Sequence, residues 1–457
     1  MTLDQQHWVD RLAALAERHD VPGASLVILS GDEVTTAAYG VLNRRTAVTA
    51  TPDSLFQIGS ITKVFTATLV MQLVDDGLLD LDEPIVTYLP AFRVADDVVT
   101  KQVSTRHLLA HTSGIDGDLF VSTGRGDDCI EKYVEACVAL RQTHPIGATM
   151  SYCNSGYVVL GRLVEVLRGQ PWHHVLRERL TAPLGLTTPT VLAEEAILHR
   201  AAVGHIGPAG RLDVVPVWDL PRATSPAGGL NATAADVIEF VRLHLRDGLA
   251  ADGTRILSAA SAAAMRQPQV EVPNPYDLGS HWGLGWILTT WDGRSVYGHD
   301  GSTLGQGALL RVCPDAGVAV CLTANGGRVR DLYHDLFPEI FAETGVQMPP
   351  RLEPASPPPD LDLQTYAGSF AREGYQVSVE PKDDRLIIHT KVTGSLEAAL
   401  AGQQQPPFEA FPVMPGVFAM KQPESTSWLA AVFYRGGDGS DYLHIGARAN
   451  PRLGTDG

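Results

Sequence analysis

FQIGSITKVFTATLV, residues 56–70, reads as the entry into a buried helix, because apolar residues run almost unbroken from Ile61 onward. Two residues at its start, Ser60 and Lys63, do not fit that description. On a helix, positions i and i+3 share a face, so the Lys63 amine lies one turn from the Ser60 hydroxyl. A serine hydroxyl becomes a useful nucleophile when a neighbour takes its proton, and a desolvated lysine with a lowered pKa can do so. Unpaired backbone N–H groups at the helix start can also hold an oxyanion.

Working outward, MTLDQQHWVDRLAALAERHD has the pattern of an amphipathic helix, and ASLVILSGDEVTTAAYG, residues 24–40, is a strand, a tight turn and a second strand. Helical periodicity then predicts helices over 61–78, 105–110, 129–140 and 156–167. From Trp282 the period becomes two. WGLGWILTTW, the turn Asp292-Gly293 and RSVYGHDG form one hairpin; GALLRVC, PDAG and VAVCLTAN form another, and 325–346 is a closing helix. Strands from both ends of this region are therefore expected to share one antiparallel sheet flanked by helices, with a helical subdomain inserted between them. VQMPPRLEPASPPPDLD, residues 346–362, is a proline-rich spacer. Beyond it, YQVSVE, RLIIHT, GVFAMK, WLAAVFY and YLHIGAR alternate as short strands of a small all-β module, for which a barrel protects the edges. The expected class is α+β, divided into a catalytic domain (1–346), a linker (347–360) and a β-module (361–457).

Composition narrows the function. The 457 residues are 44% hydrophobic with a formal charge of -17, which repels polyanions, so no nucleic-acid partner is expected. No window of about 18 uninterrupted apolar residues exists to cross a membrane, and the N-terminus lacks the pattern of a leader, so a cytoplasmic protein is expected. Five cysteines, an odd number, are expected as reduced thiols; Cys313 and Cys321 flank a hairpin and could face each other. His107 and His111 are four apart, yet no His-Glu-x-x-His accompanies them and Thr112-Ser113-Gly114 ends the helix, so no metal is expected. Trp172-His173-His174 reads as helix-face packing. With no Gly-x-Ser-x-Gly elbow, P-loop or dinucleotide fingerprint, no cofactor is expected.

Two further stretches join Ser60 and Lys63. In MSYCNSGYVVLGRLVE, Tyr152 and Asn154 alternate in an extended segment before a helix starting at Ser155, so both side chains can point one way. A phenol near an amine can relay a proton, and an amide can hold both a lysine and a substrate carbonyl. In YGHDGSTLGQG, His299 ends a strand and Gly301 leaves its edge bare for a substrate backbone.

Ser60-Ile61-Thr62-Lys63, Tyr152-Cys153-Asn154 and His299-Asp300-Gly301, about 90 and about 150 residues apart, together resemble the three motifs of the penicillin-recognising serine enzymes: class C β-lactamases, D,D-carboxypeptidases and related esterases and D-aminopeptidases. HLLAHTSGI (107–115) and AGGLNATAAD (227–236) are similar to recurring stretches of that family, over about residues 5–345. The resemblance implies Ser60 as acylated nucleophile, Lys63 and Tyr152 as the proton-transfer pair, Asn154 as carbonyl ligand and His299 in the third-motif position. The amides of Ser60 and Ser302 would form the oxyanion hole. Which of Lys63 and Tyr152 is the first base stays open. Many β-lactamases carry Lys-Thr-Gly at the third motif; His299 with Asp300 beside it would hold a substrate carboxylate less firmly, so efficient β-lactamase activity is not expected.

Within the superfamily, the chain looks like the penicillin-binding-protein-type thioesterases. Those take a nonribosomal peptide from a carrier-protein thioester and release it as a macrocycle, with a D-configured residue acylated onto serine, and they carry a lipocalin-like C-terminal module. The implied partners are a peptidyl carrier protein and small peptides. Arg448 and Arg452 would meet a carboxylate or carbonyl if the β-module overhangs the site. The alternative is a cytoplasmic esterase or D-amino-acid amidase using the same residues with water.

Overall fold

A computed structural model of the chain describes residues 3–119, 121–218, 220–393 and 406–454. The N-terminal pattern forms α1 (Gln5–Arg18), capped by the Asp4 carboxylate, which accepts from the Gln6 and His7 amides. The first hairpin is β1 (Gly23–Ser30) and β2 (Glu33–Asn43), extended by β3 (Val48–Thr49). The helical block contains α2 (Thr62–Asp75) and α3 (Asn154–Arg168). After it come β4 (Val270–Glu271), β5 (His281–Trp282), β6 (Ile287–Trp291), β7 (Arg294–Thr303), β8 (Gln306–Cys313), β9 (Val318–Ala324) and α4 (Val329–Glu343).

One nine-stranded sheet has the order β3-β2-β1-β9-β8-β7-β6-β5-β4. The first and last hairpins meet along β1 and β9, where Ala24 pairs with Ala324 and Val27 with Cys321, antiparallel. The helical block is thus an insertion into a sheet closed by distant strands. Alternation along β1 sends Val27 and Leu29 into the core shared with α2, while Leu26 and Ile28 face α1 and α4. The same alternation separates two thiols: Cys321 lies in the first core and Cys313 in the second, both buried and free. They do not face each other.

Because α2 is apolar all round, it is buried all round, from Thr62 to Leu73. Full burial of Val64, Phe65, Leu69, Val70 and Leu73 stabilises by about 1.5–3 kcal/mol each. Its threonines tie it to the segment 226–230. Thr66 Oγ1 donates to the Pro226 carbonyl at 2.7 Å, and the Leu230 amide donates to Thr62 Oγ1 at 3.1 Å.

The C-terminal module is a second antiparallel sheet of eight sequential strands: β10 (Gly368–Arg372), β11 (Tyr375–Lys382), β12 (Arg385–Val392), β13 (Phe408–Met414), β14 (Val417–Lys421), β15 (Trp428–Arg435), β16 (Asp441–Ile445) and β17 (Arg448–Pro451). A bridge between Phe370 and Arg452, with the Leu453 amide donating to the Ser369 carbonyl at 2.8 Å, brings the last strand to the first, so the sheet is a nearly closed barrel. Phe370, Leu386, Ile388, Phe418, Ala431 and Leu443 fill it. YLHIGAR is two strands, not one, because Gly446 and Ala447 both have positive φ (57° and 69°) and turn the chain back. The proline-rich spacer lies against the barrel's outer face: Leu352 packs with Val417, Ala419 and Val432, and the Ala355 amide donates to the Pro412 carbonyl at 3.0 Å.

Two sets of hydrogen bonds are prominent among the contacts that hold the barrel on the first unit. Asp331 of α4 is buried and accepts from Ser425 Oγ (2.8 Å), the Thr426 and Ser427 amides (3.1 and 3.0 Å) and Ser427 Oγ (2.5 Å). At the other side the Tyr152 amide donates to the Ala447 carbonyl at 3.0 Å, and the Ala449 amide to Ser151 Oγ at 3.2 Å. Among the described residues no helix is long and apolar enough to cross a membrane.

Candidate active site

Ser60 sits in a short 3₁₀ turn, Gly59–Ile61, just ahead of α2, rather than inside the helix. Positions i and i+3 nearly eclipse in a 3₁₀ turn, so the expected pairing survives the change: Lys63 Nζ is 3.1 Å from Ser60 Oγ. The Lys63 amine is fully buried and also donates to Asn154 Oδ1 (2.9 Å) and the Ala227 carbonyl (2.6 Å). It lies 4.8 Å from the Tyr152 ring centroid and 5.5 Å from that of Tyr157. Burial pulls its pKa well below the ordinary lysine range, and the Arg448 guanidinium adds to this against Cys153 and Asp118.

Asn154 is the first residue of α3, so the expected extended segment ends one residue earlier than read. Cys153 is the cap, its Sγ accepting from the Gly156 amide at 3.2 Å. Asn154 nonetheless bonds Lys63, and the Lys63 amine lies over the Tyr152 ring, whose hydroxyl is buried without a hydrogen-bond partner among the described residues. Burial pushes the Tyr152 phenol above its ordinary pKa, partly offset by Ser60 and Arg448, so it is a neutral O–H. His111 stacks on Tyr152 with ring centroids 4.2 Å apart and accepts the Cys153 amide at Nδ1 (3.0 Å). His107, meanwhile, bonds Ser104 through Nδ1 at the start of its own helix. The two histidines serve different ends of that segment.

His299 does not end its strand; β7 continues to Thr303. β6 stops pairing at Gly298, which leaves the edge of β7 from His299 onward open toward Ser60. His299 is buried, and its Nδ1 lies 2.7 Å from the Asp300 carbonyl. A carbonyl only accepts, so Nδ1 carries the hydrogen and Nε2, buried without a partner among the described residues, is an acceptor. Burial, then Lys63, lower its pKa to about 3, which keeps it neutral. Asp300 points to the opposite face, where Arg311 pairs with its carboxylate and offsets the negative charge it adds near the imidazole.

Gly301 and Gly59 make the approach possible. A Cβ on Gly301 would stand 1.8 Å from the Ile58 carbonyl oxygen and 3.1 Å from the Ser60 amide nitrogen; one on Gly59, whose φ is +52°, would stand 2.4 Å from the Ser302 nitrogen. The Ser60 and Ser302 amides are thereby brought close together. Ser302 itself is exposed and pairs with Gly307 of β8.

Arg448 enters from the barrel. Its guanidinium lies 5.2 Å from the Tyr152 ring centroid and donates to Asp118 Oδ1 at 2.7 Å. Arg452 does not come to the site: it donates to the Ala367 and Thr365 carbonyls and covers Phe370 in the barrel. Sequence reasoning missed the Ala227 carbonyl, which no side-chain pattern announces, and Asp118, an acid in the loop 114–118 with no motif around it.

A buried amine with a lowered pKa against a serine, backbone amides close to that serine and a buried phenol beside the amine are the parts of acyl transfer. The Beta-lactamase family profile matches residues 8–338. Penicillin-binding protein 4 of Amycolatopsis lactamdurans is 48% identical over 378 residues, covering 82% of this chain and 99% of that one. An unguisins hydrolase of Aspergillus campestris is 24% identical over 429 residues, 84% of this chain and 79% of its own. Two solved structures of SurE, the second with D-Leu, have TM-scores of 0.76 and 0.75 and identities of 28% and 26%, each over 98% of this chain and 99% of its own. This chain belongs to the β-lactamase family, within the superfamily of penicillin-binding proteins and class C β-lactamases.

Proposed function

We propose that the chain is a serine acyltransferase of the penicillin-binding-protein-type thioesterase kind. It accepts a peptidyl thioester from a nonribosomal carrier protein onto Ser60 and releases the peptide by head-to-tail macrocyclisation, preferring a D-configured C-terminal residue. In this reading residues 1–346 are the catalytic unit, 347–360 the linker and 361–457 a module that completes the site.

Lys63 is the base of the first step. A neutral amine has two N–H bonds, matched by Asn154 Oδ1 and the Ala227 carbonyl, and one lone pair, left for the Ser60 hydroxyl. Ser60 Oγ attacks the thioester carbonyl as Lys63 takes its proton. The oxyanion is held by the Ser60 and Ser302 amides. The C–S bond then breaks, and the proton passes from Lys63 through the Tyr152 hydroxyl to the leaving sulfur. In the second step the peptide's own amine attacks the ester, gives its proton to the Lys63–Tyr152 unit, and Ser60 leaves with it. Holding both ends of one chain together lets aminolysis outrun water. His299 Nε2 accepts an N–H of the bound peptide, and Arg448 meets a substrate carbonyl.

The observation that carries this reading is that the barrel forms part of the serine site's wall, through Ala447 and Arg448, in a chain matching SurE over nearly its whole length. The D-Leu in one SurE structure supports the stereochemical preference. Hydrolysis by the same residues, as an esterase or D-amino-acid amidase, is the second reading, and the name of the unguisins hydrolase favours it. Mass spectrometry of wild type and Ser60→Ala with a peptidyl thioester mimic ending in a D-residue, beside its L-counterpart, separates the two. Ser60-dependent cyclic product from the D-peptide alone is expected; linear acid alone would leave hydrolysis.

A further inference from the structure

Asp118 stands outside the three motifs, yet its side chain is only 10% exposed. Its Oδ1 receives two donors, Arg448 Nη2 at 2.7 Å and Asn154 Nδ2 at 3.2 Å, and its Oδ2 faces Arg372 Nη2 at 3.0 Å. Burial works against its ionisation, but Arg448 and Arg372 outweigh this and hold it below the usual carboxylate range, so it stays charged.

A carboxylate only accepts, so the edge of Asn154 that meets Asp118 must be the NH₂ group. The Asn154 oxygen then faces the other way, to Lys63 Nζ at 2.9 Å. A reversed amide would set its oxygen against the carboxylate and its NH₂ against the lysine. Asp118 thus decides that Lys63 spends an N–H bond on Asn154, leaving the lone pair for Ser60. Its second donor comes from the other sheet, on the strand whose turn bonds the Tyr152 amide.

We propose that Asp118 is a positioning residue for acyl transfer: it turns the Asn154 amide toward Lys63 and holds the barrel's Arg448 over Tyr152. The proposal rests on Ser60 and Lys63 being the acyl-transfer pair. Asp118 touches no reacting atom. The titratable and charged groups that face Lys63 are Tyr152, Tyr157, Cys153, His111, His299, Asp118 and Arg448. Of these the two charged ones are Asp118, which raises the lysine pKa, and Arg448, which lowers it. A substitution of either must therefore move Lys63, in opposite directions, and a merely structural contact would not.

The chain has six lysines, few enough to follow Lys63 by carbon-13 NMR of ε-labelled lysine, with Lys63→Arg as the assignment. Asp118→Asn is expected to move the Lys63 midpoint down by about half a pH unit or more. The acid limb of Ser60 acylation by a fluorophosphonate should move with it, and kcat/KM on the thioester should fall about tenfold. Arg448→Met is expected to move the midpoint up. The double variant should lose less than the product of the two single losses, by about fivefold. An unmoved midpoint in an Asp118→Asn protein that melts like wild type overturns the proposal, as do multiplicative losses. Should Asp118→Asn fail to fold, Arg448→Met breaks the same contact from the barrel, and an unmoved midpoint there overturns it equally. A wild type that takes no fluorophosphonate while the midpoints move overturns only the acyl-transfer reading.

Discussion

At the scale of single residues, the site depends on missing atoms as much as on reactive ones. Gly301 lies where β7 crosses the loop before Ser60, and the Ile58 carbonyl occupies the space a side chain would need. Neither partner can give way, because the strand is paired to β8 and the loop leads into a fully buried helix. Gly301→Ala is therefore expected to push the Ser302 amide away from Ser60. Loss of one oxyanion donor lowers acylation by about 10²–10³, and the overpacking costs about 1–3 kcal/mol in a urea melt. A variant that acylates at the wild-type rate would show that Ser302 is not part of the site. Lys63→Arg tests the base in the same spirit: guanidinium keeps a positive charge at every accessible pH, so acylation should fall by at least about 10³. The residues that carry reactive side chains were legible because three short motifs named them. Asp118 and the Ala227 carbonyl were not, since one is an ordinary loop acid and the other is backbone, and only folding brings either within 3 Å or so of its partner.

At the scale of elements, α4 does two jobs. Its apolar side closes the outer face of the sheet, and Asp331 in its first turn holds the barrel loop 425–427 with four hydrogen bonds. Asp331→Ala removes all four of these bonds, leaving the Ser427 amide with Ser425 Oγ at 3.0 Å, and hydrogen bonds to a charged group are the strong kind. The expected cost is about 3 kcal/mol of stability, with faster proteolysis of the barrel loop. Because the contacts beside the site, at Tyr152 and Ala447 and at Asp118 and Arg448, share the load of docking, acylation should fall too. Wild-type acylation would mean that the barrel stays seated without Asp331. Periodicity found α1, α2, α3 and both hairpins of the large sheet. It erred where tertiary contacts set the ends: His299 continues its strand because β8 pairs it to Thr303, and Asn154 joins α3 because Cys153 can cap it. Strands Gly368–Arg372 and Phe408–Met414 escaped notice because each mixes glycine or proline with polar residues and gains its place from barrel neighbours.

At the scale of the whole molecule, the junction between catalytic unit and barrel is a buried knot of charge. Asp116 and Asp118 from the first unit meet Arg372 and Arg448 from the second. Sequence could place Arg448 on a strand, and Arg372 on none, but neither against these acids, because the pairing depends on how two separately folded sheets dock. The knot is unevenly balanced. Asp118 has two arginines, whereas Asp116 has the Arg372 guanidinium and the Asp118 amide, each at 3.5 Å from Oδ1, and its Oδ2 is buried without a partner among the described residues. Burial raises the Asp116 pKa to about 6, with Arg372 opposing and Asp118 reinforcing. In the unfolded chain an aspartate titrates near 3.9. Between roughly pH 4 and pH 6 the unfolded chain therefore gives up a proton that the folded one keeps, so this group's contribution to stability falls as pH rises through that window and is constant above it. Two pKa units correspond to about 3 kcal/mol at most. Asp116→Asn removes the titration while keeping the shape. Its stability relative to wild type should improve by about 2–3 kcal/mol between pH 4 and pH 7 and gain nothing more at pH 8. Urea melts of both proteins across that range read the difference directly, and because the remaining carboxylates titrate in both, their contributions cancel. A difference that stays flat from pH 4 to pH 7 would mean that Asp116 ionises normally and that the junction is better hydrated than its burial implies.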